Sequence, residues 1–239
     1  SADIVVIGAM AGIIIAILDR TGLGQALTLV LAAVGEDSLF LLLVLTALVS
    51  ILLGMGMPTS AIYLLLATMI APSLIKLGVH PIAAHMFVLY FGLMSMITPP
   101  VAIAAFAAAS LSGAKPMETG AMAVRLGWIA YVIPFVFVLS PSLLWQGDIV
   151  NILLAAITAF MGVWIASCGV IGYMFGPLSA IVRLIFFVAG ILLLLPADAL
   201  PNGLAINGVG LVLGILVLSK DYITNKRNKI AQTSPSSSD

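Results

Sequence analysis

The sequence predicts an all-α integral membrane protein, and three features carry that prediction. Hydrophobic residues make up 63% of the 239 positions and charged residues only 8%, whereas soluble domains carry about 25% charged residues. No charged side chain falls between Ser38 and Ile75. The charges that are present stand mainly at the borders of apolar runs, as expected where loops join membrane helices.

The first two apolar runs are short for membrane helices. A spanning helix needs about 20 apolar residues, within a range of about 17 to 25. The runs Ile4 to Leu18 and Leu23 to Val34 are shorter, and a polar corner beginning at Asp19 separates them. We expect one packed helix and then a tilted or interfacial one. Because the chain opens at Ser1 without a methionine, we also expect that the full protein has a further N-terminal part.

The next block, Leu39 to Leu74, consists of two apolar arms around an irregular centre. That centre is Gly54, Met55, Gly56, Met57, Pro58, Thr59 and Ser60. Each arm is slightly short for a full crossing. A re-entrant helical hairpin with its tip at this centre fits the pattern, and two ordinary crossings joined by a tight turn fit it as well.

A second interruption falls in the run from Pro81 to Ser112, at Thr98, Pro99 and Pro100. Proline has no N–H, and it biases the preceding residue away from the α region. We therefore predict a helix, an unwound elbow and a second half-helix that begins at about Val101.

The segments after Lys115 follow a plainer pattern. The predicted spans are Ala121 to Trp145 with a kink at Pro134, Ile149 to Ile171, Leu178 to Leu195, and Ile206 to Leu218. We place one domain over residues 1–147, a helical extension over 148–219 and a disordered cytoplasmic tail over 220–239. Basic residues at the start of that tail favour its cytoplasmic side by the positive-inside rule.

The two breaks form the candidate binding site. A helix broken at bilayer depth survives only where it is buried in protein or lines a cavity, and paired breaks hold substrate and coupling ion in secondary transporters. The candidate residues are Gly54, Met55, Gly56, Met57, Pro58, Thr59, Ser60, Ser95, Thr98, Pro99, Pro100, Val101 and Ala102. The alternative is that each break is only a kink, since Gly and Pro are common in membrane helices.

Oxygen atoms at these breaks favour a hard cation. Carbonyls that lose their helical donors, together with nearby hydroxyls, could bind Na⁺ at Gly54, Gly56, Ser60 and Thr98. The N-terminal ends of the second half-helices suit an anionic substrate group. No cofactor is expected, and Na⁺ is expected as the coupling ion.

Other functional classes fit the sequence less well. No carboxylate lies inside a predicted span and Cys168 is the single cysteine, which argues against an intramembrane enzyme and against thiolate metal chemistry. A formal net charge of zero disfavours a nucleic-acid partner. A structural or assembly subunit and an uncoupled channel remain as alternatives, although no charged ring or filter motif is present.

The order of the motifs resembles a known transporter family. The residues that carry the resemblance are Gly54 to Tyr63, Ala71 to Leu74, Ala84 to Phe87, Tyr90, Phe91, Thr98 to Val101, and Ala107 to Ala109. They are similar to the second half of the large membrane subunit of tripartite ATP-independent periplasmic (TRAP) transporters, and most similar to the branch with fused membrane subunits. The resemblance covers the chain from about Ile4 to about Trp145.

The resemblance implies the second inverted repeat of an elevator-type carrier in a bacterial or archaeal cytoplasmic (inner) membrane. It implies a periplasmic substrate-binding protein as partner and Na⁺-coupled import of a small organic acid. The tip Gly54 to Ser60 and the elbow Thr98 to Ala102 would be this repeat's contribution to the ion and substrate sites. Many dicarboxylate-type members have a glycine after the valine that Val101 matches, so Ala102 weakens any transfer of substrate identity.

Overall fold

The computed structural model describes residues 38–197 and 202–233, together with scattered positions among the first 37. From Leu39 onward the described part holds ten α-helices and no strand, so the all-α prediction is confirmed. The predicted helices at 4–18 and 23–34 lie mostly outside the described residues. The chain divides into two compact units between Leu144 and Trp145, close to the domain boundary predicted after residue 147.

Between Leu39 and Leu144 the first unit contains seven α-helices. They are α1 (Leu39–Gly54), α2 (Thr59–Met69), α3 (Ala71–Lys76), α4 (Pro81–Met94), α5 (Ile103–Ser112), α6 (Pro116–Leu126) and α7 (Ile129–Leu139), followed by a 3₁₀ turn at Pro141–Leu144. Helix α4 packs against α1, α2, α3 and α7. Its side chains Phe87 and Val88 are fully buried in a core shared with Leu42 and Leu66. Helix α4 therefore lies at the centre of this unit.

Local sequence explains where several of these helices begin and end. The Ser38 hydroxyl accepts a hydrogen bond from the Leu41 N–H at the start of α1. Proline occupies the first turn of α3, α4 and α6, where its missing N–H costs nothing. Helix α5 ends at Gly113 in a left-handed conformation with φ 69°.

Both predicted breaks are present. Residues 55–58 separate α1 from α2, and residues 95–102 separate α4 from α5. Helix α1 has 16 residues, a length of about 24 Å, which is less than the hydrocarbon thickness of about 30 Å. The second half-helix begins at Ile103 rather than Val101, because Ala102 adopts left-handed dihedral angles (φ 34°, ψ 50°) that a helix cannot include.

The prediction of one span from Ala121 to Trp145 with a kink at Pro134 was wrong in detail. The helical segment starts earlier, at Pro116, and it divides at Gly127 and Trp128 into α6 and α7. A Cβ at Gly127 would lie 3.0 Å from the Cδ1 of Ile97, so this division falls where the segment packs closely against the elbow. Pro134 is inside α7. The first turn of α6 is polar, so the apolar run in the sequence begins only after the helix has started.

The second unit contains three longer helices. They are α8 (Ile149–Ile171), α9 (Ala180–Leu194) and α10 (Gly203–Thr233). Helix α9 packs against both α8 and α10. A Cβ at Gly190 would lie 2.4 Å from the Ala166 nitrogen, and one at Gly162 would lie 2.8 Å from the Gly190 carbonyl oxygen. Glycine on both helices thus allows the α8 and α9 backbones to approach directly.

Helix α10 extends well beyond the predicted span of Ile206 to Leu218, and it includes most of the segment predicted as a disordered tail. Its helical backbone continues to Thr233, and residues 234–239 lie outside the described part. No glycine or proline occurs between Ile215 and Thr233. Polar residues alone do not end a helix, and the first strong helix breaker after this stretch is Pro235.

Arg183 caps α8 from its position on α9. Its Nε donates to the Gly169 carbonyl at 3.1 Å and its Nη2 donates to the Val170 carbonyl at 3.2 Å. Both carbonyls belong to the last turn of α8, where a cation interacts favourably with the helix dipole. The half-buried Arg183 side chain therefore finds its polar partners within the second unit.

Four helical segments in the described part of the chain are long and apolar enough to cross a membrane. They are Thr59–Lys76, Pro116–Leu139, Ile149–Ile171 and Gly203–Ile223. Large apolar side chains on them remain exposed, among them Leu64, Leu126, Phe160 and Leu216. So much exposed apolar surface is unusual for a soluble monomer, but it is ordinary for a protein surrounded by lipid. The chain is a multi-pass integral membrane protein.

Candidate ion and substrate site

The first break frees the carbonyl of Gly54. In a continuous helix this carbonyl would accept a hydrogen bond from residue 58, but Pro58 has no N–H. Two other donors approach it: the Met57 N–H at 3.4 Å and the Ser95 hydroxyl at 2.9 Å. The end of the first hairpin arm is thereby joined to the beginning of the elbow.

Ser95 joins the two breaks through one buried hydroxyl. Its Oγ lies 2.9 Å from the Gly54 carbonyl oxygen and 2.6 Å from the Gly92 carbonyl oxygen, and the residue is only 2% exposed. A serine hydroxyl has one proton to donate. It therefore donates to one of the two carbonyls at a time. Each carbonyl also accepts one backbone N–H, that of Met57 at Gly54 and that of Ser95 at Gly92, so the carbonyl without the hydroxyl proton keeps one lone pair for a further partner.

The contact between the breaks requires glycine at position 54. A Cβ there would lie 2.8 Å from both the Gly92 carbonyl oxygen and the Ser95 Oγ. Gly92 meets a similar limit on another side of α4, where a Cβ would lie 2.5 Å from the Cγ2 of Ile62. The two arms of the hairpin thus contact α4 through positions that have no side chain.

Thr98 is the second hydroxyl of the elbow, and it also has two partners. Its Oγ1 donates to the Met94 carbonyl at 2.5 Å and lies 2.8 Å from the Tyr131 hydroxyl on α7. Sequence reasoning missed Tyr131, because one tyrosine within an apolar run has no motif or spacing that marks it.

Helix α6 holds the elbow from another direction. A Cβ at Gly120 would lie 2.9 Å from the Cγ of Pro99. Ile97 also packs against Gly127, and Thr98 contacts Tyr131. The elbow therefore packs against both α6 and α7.

The elbow ends in a strained residue. Ala102 is fully buried, and its φ of 34° lies in the left-handed region, which costs a residue other than glycine about 1 kcal/mol. Its N–H donates to the Thr98 carbonyl at 3.2 Å. Sparsely populated backbone conformations of this kind concentrate at functional sites.

The structure brings only part of the predicted set together. Gly54 and Ser95 are in contact, and Thr98 lies on the same elbow as Ser95. The half-buried members of the set are Met55, Met57, Thr98, Pro99 and Val101, and the exposed ones are Gly56, Pro58, Thr59, Ser60 and Pro100. Within the described residues no hydrogen bond joins Thr59 or Ser60 to the elbow.

A second contact ties the hairpin to α4 away from the breaks. The Tyr63 hydroxyl on α2 lies 3.2 Å from the Nδ1 of His85, and the two rings meet edge to face with centroids 6.1 Å apart. His85 therefore has a structural partner. His80 precedes the first turn of α4 and makes no side-chain capping bond there.

The oxygens where the breaks meet are all neutral. They come from hydroxyls and main-chain carbonyls, and the described residues include no group of three or more His, Cys, Asp or Glu side chains able to hold a metal ion. Neutral oxygens suit hard cations better than transition metals.

Two interrupted helices that meet inside a multi-pass helical protein are typical of secondary transporters. The family model for the tripartite ATP-independent periplasmic transporter, DctM component, matches residues 1–152, and the chain belongs to this family. The match includes both breaks and the start of α8, but α9 and α10 follow it. No match was found among curated proteins or among solved structures.

Proposed function

We propose that this permease couples the import of a small organic acid to Na⁺, and that the meeting point of the two breaks contributes to the ion and substrate sites. The observation that carries the proposal is the Ser95 hydroxyl, which has one proton for the two carbonyls of Gly54 and Gly92. A bound cation would occupy the lone pair that remains on the carbonyl to which the hydroxyl does not donate. Gly54 and Thr98 are the proposed Na⁺ ligands with the most direct support.

Gly56 and Ser60 stay in the proposal as residues of the hairpin tip. Both are exposed, so they would reach an ion only if the tip closes over it. An exposed tip beside a buried contact is the arrangement expected of a gate that moves during transport. Met55, Met57, Pro58, Thr59, Pro99, Pro100, Val101 and Ala102 would shape the surrounding pocket.

Partners and location extend the family assignment. We infer a periplasmic substrate-binding protein that delivers the organic acid, and an N-terminal remainder of the permease that supplies the other inverted repeat of an elevator-type carrier. We place the protein in a bacterial or archaeal inner membrane. A transporter of this family has no need of enzymatic chemistry, and Na⁺ enters the proposal as the coupling ion, not as a cofactor.

Uptake by proteoliposomes tests the proposal. The full-length permease would be reconstituted and given a sudden inward Na⁺ gradient together with radiolabelled dicarboxylates, keto acids or sugar acids, each with and without the binding protein. We expect uptake of one acid class only when both Na⁺ and the binding protein are present. Strong uptake without either would overturn the coupling and indicate an uncoupled channel.

A further inference from the structure

Tyr131 touches the elbow from outside the two breaks. Its hydroxyl lies 2.8 Å from Thr98 Oγ1, and it sits on α7, a helix that contributes no other hydroxyl to this region of the described structure. The direction of this hydrogen bond decides what Tyr131 can do for the ion site.

The other partner of Thr98 indicates that direction. Thr98 has one hydroxyl proton, and it donates that proton to the Met94 carbonyl at 2.5 Å. The distance between Thr98 and Tyr131 permits either hydroxyl to donate, and because Met94 accepts the Thr98 proton we assign the donor role in this contact to the phenol. Thr98 Oγ1 has two lone pairs, of which Tyr131 uses one and leaves the other for a further partner.

The packing of α7 holds the phenol in place. Phe135, one turn further along α7, meets Phe87 and Phe91 of α4 edge to face, with ring centroids 5.3 and 5.6 Å apart. Tyr131 and Phe135 both pack against the core around α4. An aromatic side chain has only two rotatable bonds, so this packing determines where the hydroxyl lies.

We propose that Tyr131 is a positioning residue for the Na⁺ site: its phenol donates to Thr98 and fixes the Thr98 oxygen with one lone pair free for the cation. The inference rests on the proposed function. Without the phenol, Thr98 keeps its bond to Met94 but loses the second contact that holds its side chain. Na⁺ affinity should then fall although no ion ligand has been removed.

Equilibrium binding of radioactive Na⁺ to the purified full-length permease tests this role. The variants are Tyr131→Phe, Thr98→Ala, the double variant and Thr98→Ser. Tyr131→Phe should weaken Na⁺ binding by about fivefold, the size of one net hydrogen bond. Thr98→Ala should weaken it at least as much. The double variant should equal Thr98→Ala, because a residue that acts through Thr98 has no effect once that hydroxyl is gone.

Two controls separate positioning from folding. Tyr90→Phe removes a hydroxyl from α4 while its ring keeps the edge-to-face contact with Phe137 at 5.8 Å, and it should bind Na⁺ like the wild type. Thr98→Ser keeps the acceptor for Tyr131 and should stay within about twofold of the wild type. A purely structural role for Tyr131 would lower the yield and melting temperature of Tyr131→Phe and leave its Na⁺ affinity unchanged.

The outcomes are distinct. Unchanged Na⁺ affinity in Tyr131→Phe, with wild-type binding intact, would overturn the role of Tyr131 alone. A further loss in the double variant beyond Thr98→Ala would show that the phenol contacts the ion directly, which contradicts positioning. Absence of Na⁺ binding by the wild type would overturn the proposed ion site, and the role of Tyr131 with it.

Discussion

Both units use glycine to bring helices into close contact. The second unit does so between continuous helices and the first unit at a helix break. In the second unit, Gly162 and Gly190 let the uninterrupted helices α8 and α9 approach. In the first unit, Gly54 lets the end of one broken helix approach the Ser95 hydroxyl of another. Between continuous helices, a glycine therefore contributes only close backbone packing. Glycine contact at a helix break also brings carbonyls and hydroxyls together, and that is what a binding site needs.

The polar groups of the two units show the same contrast. In the second unit, the Arg183 guanidinium donates to carbonyls in the last turn of α8. This cation therefore caps a helix. In the first unit, Ser95 and Thr98 each lie near two partners. One partner of each is local, and the other lies on a separate segment: Gly54 for Ser95 and Tyr131 for Thr98.

The largest expected effect is on position 54. Gly54→Ala would place a Cβ 2.8 Å from the Gly92 carbonyl oxygen and the Ser95 Oγ, which forces the two breaks apart. We expect the initial rate of Na⁺-driven uptake to fall more than about tenfold at normal membrane levels. The matched control is Gly208→Ala on α10, where no atom lies within 4 Å of the new Cβ. Wild-type uptake by Gly54→Ala would contradict the claim that transport needs the close contact between the two breaks.

A glycine of the second unit should affect stability without affecting coupling. Gly190→Ala would place a Cβ 2.4 Å from the Ala166 nitrogen, a backbone atom that cannot move aside alone. We expect a loss of about 1 to 3 kcal/mol, seen as a lower melting temperature of the purified permease. The Na⁺ concentration for half-maximal uptake should stay at the wild-type value. A shift in that concentration would mean that the second unit takes part in ion binding.

A smaller effect, of opposite sign, is expected at the end of the elbow. Ala102→Gly removes the left-handed strain at φ 34° and should stabilise the fold by about 1 kcal/mol. Ala105→Gly, at a buried position inside α5, should cost about 1 kcal/mol. Thermal unfolding followed by circular dichroism measures both. Equal destabilisation by the two substitutions would show that Ala102 is not strained.

The smallest expected effect concerns a hydroxyl without a partner. Thr46 on α1 is fully buried, and its Oγ1 makes no hydrogen bond within the described structure. Thr46→Val should therefore be neutral or stabilise the protein by up to about 1 kcal/mol. Thr68→Val is the control, because the Thr68 hydroxyl donates to the Leu64 and Leu65 carbonyls. A clear loss of melting temperature in Thr46→Val alone would reveal a partner for that hydroxyl.

Sequence alone was sufficient for the all-α class and for both breaks, because Gly and Pro act locally on the backbone. It also located α4, α8 and α9 to within a few residues. It could not find the division at Gly127 or the role of Tyr131, since both depend on contacts with the distant elbow. The sequence does not predict the helical extension of α10, because its polar composition is also typical of a disordered tail.

For the candidate site, the sequence predicts which two segments are interrupted but does not rank the residues in them. Thr59 and Ser60 have the same hydroxyl chemistry as Ser95, yet they are exposed while Ser95 is buried. The difference arises from packing: the Ser95 side chain faces Gly54 across the contact between α1 and α4. The bridging role of Ser95 therefore becomes visible only once both breaks are placed in space.

The measurement that tests the central claim most directly is the Na⁺ dependence of uptake by Ser95→Ala and Thr158→Ala in the full-length permease. The Thr158 hydroxyl also donates to carbonyls, but only to those of its own helix, at Leu154 and Ala155. We predict that Ser95→Ala raises the half-saturating Na⁺ concentration about tenfold, equivalent to about 1.4 kcal/mol, and that Thr158→Ala leaves it unchanged. Wild-type Na⁺ dependence in both variants would contradict a Na⁺ site at the meeting point of the two breaks.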